Sequence, residues 1–117
     1  MNYKKLRVWE LSLASTFIII DEIEQCRVFS FNDQILRSSI SVPSNIAEGM
    51  VRSTPKQQLQ FLNYARASNA EVETQVLIAR HGGYFSVASC DTLANNCTRV
   101  GVGLFRLMRE VRGRGTA

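Results

Sequence analysis

The chain has few of the residues that build β-rich or membrane-spanning proteins. Its 117 residues include two prolines and seven glycines, too few turn formers for a fold of many short strands. The apolar run at residues 17–20 stops at Asp21, far short of the roughly 18 residues that a membrane span needs. The basic N-terminus is not followed by the apolar segment of a signal peptide. We expect one cytoplasmic domain over residues 1–117, without membrane association.

Histidine and cysteine are too scarce for the common catalytic and metal sites. His81 is the only histidine, and Cys26, Cys90 and Cys97 lack zinc-ligand spacing. No Ser/His/Asp set or Gly-rich phosphate loop occurs. Cys90 and Cys97 would lie ~10 Å apart on one helix, too far for a disulfide. We therefore predict a non-enzymatic protein with buried, reduced thiols, no cofactor and no metal.

Acidic residues are nearly absent from the end of the chain. Residues 1–98 carry nine basic and nine acidic side chains, so the whole net charge of +4 lies in residues 99–117. Five arginines stand there against Glu110 alone: Arg99, Arg106, Arg109, Arg112 and Arg114. They could complement the dipole of a helix C-terminus, or they could bind RNA or DNA through its phosphates.

Four segments show the 3.6-residue periodicity of amphipathic helices. The predicted helices span about residues 5–26, 31–51, 54–81 and 89–112, and residues 113–117 are predicted to be a disordered tail. Ser30 or Asn32 can cap the second helix, Thr54 precedes Pro55 at the third, and Ser89 or Asp91 can start the fourth. Four helices joined by short loops favour an all-α, antiparallel up-down four-helix bundle.

The second predicted helix has a proline in its middle. Pro43 removes one backbone donor and could divide the segment into two short helices. The apolar arc keeps its phase past Pro43, which favours one helix with a kink there. Members of this arc are Ile35, Ile40, Val42, Ile46 and Met50.

A narrow polar stripe lies on the other side of this helix. We use "polar stripe" for Gln34, Arg37, Ser41, Asn45 and Glu48, which fall within roughly 80° of one another at helical spacing. They could hydrogen-bond with Ser68, Glu71 and Gln75 of the third helix, within the bundle or between subunits, and so fix its register. They could also contact a ligand or nucleic acid, or simply be solvated. We favour the first role, with Arg37 as a partner for Glu48 or Glu71.

The same segment resembles a known family. Asp-Gln-Ile-Leu-Arg at residues 33–37 and Ser-Val-Pro-Ser-Asn-Ile-Ala-Glu-Gly at residues 41–49 are similar to the four helix bundle protein family, also called the 23S rRNA intervening-sequence or S23-like family. The similarity extends over about 80 residues, and it includes Trp9, Phe61, Leu62, Ala65, Ser68 and Glu71. It implies a helical bundle, and a cyclic homopentamer in some members. It also implies a relation to the accessory subunit of diversity-generating retroelements, which binds a reverse transcriptase and nucleic acid.

Two functions fit these patterns. The first is an oligomeric accessory factor associated with RNA, in which a ring of copies multiplies weak arginine contacts. The second is a protein-interaction or scaffolding module, such as an accessory subunit of a reverse transcriptase. In that case the polar stripe and the acidic cluster at residues 21–24 would make the contacts.

Overall fold

Four helices form most of the structure. The computed structural model describes residues 2–115, which contain α1 (Arg7–Ile23), α2 (Phe29–Val51), α3 (Pro55–Gly82) and α4 (Val87–Gly115), with a 3-10 turn before α1. Each helix packs against the next, and α4 packs back against α1. The helices enclose one apolar core in a rod of 50 × 21 × 20 Å. No strand occurs among these residues, and the predicted all-α four-helix bundle is confirmed.

The core follows the periodicity of the sequence. Its members include Ile19, Ile35, Leu62 and Leu104, which are fully buried. The three cysteines are buried and free, and burial raises the pKa of the Cys97 thiol to about 12. None of the helices within residues 2–115 is long and apolar enough to cross a membrane.

Both ends of α4 differ from the bounds predicted from the sequence. This helix begins at Val87, before Ser89 or Asp91, and it continues to Gly115. Residues 113–115 are therefore helical, contrary to the predicted tail, whose last two residues lie outside the described part of the chain. An ion pair of 3.4 Å from Arg114 to Glu110 supports the last turn. The first helix is shorter than predicted and ends at Ile23.

A hydrogen bond from α1 compensates for the proline in α2. Pro43 is buried inside the helix and has no N–H to donate to the carbonyl of Ser39, four residues earlier. Thr16 replaces that donor, since its Oγ1 lies 3.0 Å from the Ser39 oxygen and 3.2 Å from the Ser12 oxygen. The helix therefore continues through Pro43, and the alternative of two short helices is wrong.

An acidic residue at the end of α1 caps the start of α4. The Glu22 carboxylate accepts hydrogen bonds from the Ser86 hydroxyl at 2.6 Å and from the Ser86 N–H at 3.3 Å. The Ser86 oxygen in turn accepts from the N–H of Ser89 at 3.2 Å. Burial alone would raise the pKa of Glu22, but the hydrogen bonds from Ser86 and Ser89 lower it below its ordinary value. A carboxylate at a helix N-terminus also complements the helix dipole.

We expect Thr16→Val to lower the free energy of unfolding by about 1–3 kcal/mol, because it leaves the buried Ser39 carbonyl without its donor. In the Pro43→Ala background the same substitution should lower the free energy of unfolding by clearly less, since the N–H of residue 43 can then donate to the Ser39 carbonyl. Urea denaturation of the four proteins measures this coupling. Thr16→Ser keeps the hydroxyl and is the control. An equal cost in both backgrounds would contradict the compensation.

We expect Glu22→Gln to destabilise the protein at neutral pH and to have no effect in acid. The folded pKa of Glu22 lies below its ordinary value of 4.5, so its stabilisation is complete above that value and disappears as the pH falls through the folded pKa. The site is partly exposed, so the loss at pH 7 should stay below about 1 kcal/mol. Denaturation curves at pH 7 and about pH 3 test this. Glu24→Gln, an exposed neighbour, is the control, and a difference that persists unchanged in acid would refute the cap.

Candidate nucleic-acid interface

Three arginines from two helices line one groove. Arg99 and Arg106 on α4 face Arg7 on α1 across a hollow of about 330 Å³. Its apolar walls include Val8 and Val102. Arg7 makes only an exposed contact of 3.5 Å to Glu10, and neither Arg99 nor Arg106 has an ion pair among the described residues. We call Arg7, Arg99 and Arg106 the arginine groove, whose cations have the chemistry of a phosphate-binding surface.

A glycine brings the two walls of the arginine groove together. A Cβ atom placed on Gly103 would lie 3.1 Å from both Cβ and Cγ2 of Val8, closer than ordinary van der Waals contact. Because this position has no side chain, α1 can approach α4 closely. The groove therefore depends on a residue whose low helix propensity is otherwise unfavourable.

The other three arginines of the C-terminal segment do not join this groove. Arg109 lies over the Phe105 ring, with its guanidinium carbon 5.7 Å from the ring centroid. Arg112 lines a hollow with Lys56 at the start of α3, and Arg114 pairs with Glu110. The five predicted arginines thus cover different sides of α4.

The middle of the polar stripe lies at the contact between α2 and α3. The hydroxyls of Ser41 and Ser68 are 2.8 Å apart. Asn45 donates to the backbone oxygen of Ser41 at 2.8 Å and to its hydroxyl at 2.9 Å. The Ser41–Ser68 bond links the two helices through partly buried groups. Both bonds from Asn45 stay within α2, where they hold the Ser41 side chain in place.

The ends of the polar stripe behave differently. Glu48 pairs with Arg52 on its own helix at 3.1 Å, so the expected pairing of Arg37 with Glu48 does not form. Arg37 and Glu71 are exposed, and neither has an ion pair among residues 2–115. Gln34 and Glu71 line one shallow hollow on the α2–α3 surface.

Two participants were missed by reasoning from the sequence. Arg7 lies within residues 1–98, where basic and acidic side chains are equal in number, so the distribution of net charge did not point to it. Ser38, rather than a stripe residue, accepts the hydrogen bond from Gln75 of α3 at 3.2 Å. Ile40 was assigned to the apolar arc but is 47% exposed. The apolar arc predicted from the sequence is therefore wider than the face of α2 that is buried.

No cluster of three or more metal-ligating side chains occurs within the described residues. His81 is exposed in the last turn of α3.

Known proteins resemble the chain in sequence and in fold. The model of the 23S rRNA-intervening sequence protein family matches residues 4–106. A 1.70 Å crystal structure from Bacteroides thetaiotaomicron, of a protein with unknown function from the S23 ribosomal protein family, has a TM-score of 0.80. It is 22% identical in sequence, and the alignment covers 86% of this chain and 97% of the other. The search of curated proteins finds no match.

The range of the family match contains both the polar stripe and the arginine groove. It covers the central segment at residues 41–49 as well as Arg7, Arg99 and Arg106. Since the match extends over much more than half of the sequence, this chain belongs to the 23S rRNA-intervening sequence protein family.

Proposed function

We propose that the protein is a non-enzymatic, oligomeric helical-bundle factor that associates with RNA through the arginine groove. The observation that carries this proposal is the convergence of Arg7, Arg99 and Arg106 on one hollow of about 330 Å³. Guanidinium groups suit bidentate contacts to phosphate. Two of the three have no competing ion pair in the described structure. A cytoplasmic location stays a prediction from the sequence.

The charge distribution supports contact with a polyanion. Arg99 and Arg106 belong to the C-terminal segment that carries the whole net charge of +4, and Arg7 adds a third cation from α1. A few phosphate contacts bind weakly in one subunit. Several copies in one assembly would bring several grooves to the same strand and raise the apparent affinity.

An RNA titration tests this proposal. We expect a fluorescein-labelled RNA to bind with an affinity that falls as salt rises, and Arg99→Ala with Arg106→Ala to weaken it strongly. Each lost phosphate contact should reduce the slope of log K against log salt by about 0.7 for a single strand. Arg27→Ala with Arg37→Ala, which removes two exposed arginines that do not line the groove, is the charge-matched control. No binding, or binding indifferent to salt and to the groove substitutions, would refute the proposal.

An apolar surface at the α1–α2 edge favours a protein-interaction role as well. Phe17 is 55% exposed and Ile20 is 40% exposed on α1, and the two share a face with Leu13 at helical spacing. Ile40 on α2 is next to Ser39, whose carbonyl meets Thr16. We call these four side chains the apolar edge, and we propose that copies of the chain associate through it. An accessory subunit of a reverse transcriptase could use the same surface for its partner.

We expect Phe17→Glu with Ile20→Glu to convert the assembly to monomers, because charge is unfavourable in a buried interface. Light scattering coupled to size-exclusion chromatography measures the mass. Leu77→Glu with Ile78→Glu is the matched control, since these two residues of α3 are 62% and 49% exposed and lie outside the apolar edge. A wild-type monomer, or an assembly that survives both apolar-edge substitutions, would rule out this interface.

A further inference from the structure

An exposed aromatic ring lies beside the arginine groove. Phe105 on α4 is 61% exposed and borders a second hollow, of about 440 Å³. Val102 and Thr98 line both this hollow and the arginine groove, so the two are neighbours on one surface. A large ring so far out of the core contributes little to folding, because most of its apolar area stays in water.

Positive charge lies close to this ring. The Arg109 guanidinium lies over it, 5.7 Å from the ring centroid. Arg66 of α3 and Glu73 line the adjoining hollow, where their charges balance, so Arg109 supplies the excess positive charge. An exposed aromatic ring next to arginine is an arrangement by which proteins bind unpaired bases, with phosphates on the arginines and the base on the ring.

Gly101 keeps the surface next to the ring open. A Cβ atom on Gly101 would meet only the Asn69 Nδ2 atom, at 3.7 Å, so no packing requirement excludes a side chain there. The missing side chain leaves the hollow between α3 and α4 accessible beside Phe105. Asn69 is held in place by donating to the Cys97 carbonyl at 3.0 Å.

We infer that the RNA bound by this protein is single-stranded at the contact, with one unpaired base stacked on Phe105 and its neighbouring phosphates in the arginine groove. A duplex would offer only its phosphates, because its bases are stacked on one another and its edges lie in the grooves. The inference rests on the proposed function and specifies its ligand. Stacking and phosphate contacts use no base edge, so no sequence preference is expected.

The test compares two probes of one sequence, a single-stranded RNA and its duplex, against Phe105 variants. Wild type should bind the single strand more tightly. Phe105→Ala should weaken single-strand binding about fivefold or more and leave duplex binding unchanged. Phe105→Trp should retain the preference, and Phe105→Leu, which keeps apolar area without an aromatic face, should lose it. Single-stranded DNA of the same sequence should bind comparably, since neither contact requires a 2′-hydroxyl.

Abasic RNA provides a second readout that does not depend on the duplex. A strand of the same length that lacks all its bases should bind wild type more weakly than the intact single strand does, whereas Phe105→Ala should bind the two strands equally. Equal losses in both proteins would overturn the stacking contact, as would a wild-type preference for the duplex. Dissociation of the assembly in Phe105→Ala would assign the ring to a subunit interface and would also overturn it. Failure of every probe to bind would instead refute the proposed function itself.

Discussion

The hydrogen bond from Thr16 to the Ser39 carbonyl is the contact on which the arrangement of the first two helices depends. Without it, Pro43 would leave a buried acceptor unpaired inside α2. With it, one side chain both completes the α2 hydrogen-bond ladder and fixes the register of α1 on α2. Phe17 and Ile40, the residues that follow Thr16 and Ser39 in their helices, are both exposed. The backbone donor that Pro43 lacks is thus replaced by a hydrogen bond that joins α1 to α2.

The pair formed by α1 and α4 carries opposite charges at its two ends. At one end, Glu22 of α1 accepts hydrogen bonds from Ser86 at the start of α4. At the other end, Arg7 of α1 faces Arg106 of α4 across the groove that Gly103 makes possible. The carboxylate at the acidic end already accepts hydrogen bonds from within the protein, because Glu22 caps the start of α4. At the basic end Arg7 makes an exposed contact of 3.5 Å to Glu10, while Arg99 and Arg106 have no ion pair in the described structure, so positive charge is in excess there.

The comparison of prediction and structure shows where local patterns succeed. Apolar periodicity placed four helices, because each buried face repeats along its own segment. It did not place the start of α4, since Ser86 is selected as the cap by Glu22, which is 64 residues away in the sequence. The polar stripe was identified as a group, and its member Ser41 does bond to Ser68 of α3. The expected pairing of Arg37 with Glu48 was wrong, because Arg52 lies one turn from Glu48 and reaches it more easily.

The sequence by itself determined the helical class, the buried faces and the location of the net charge, since each depends on residue type and spacing along one segment. It also carried the family resemblance in residues 41–49. Tertiary structure alone decided which arginines share a groove, because Arg7 and Arg99 are brought together only by packing of the first helix on the last. It likewise decided that Pro43 is tolerated, since the compensating donor comes from another helix. No spacing rule within a helix contains these contacts, because they join residues that are distant in the chain.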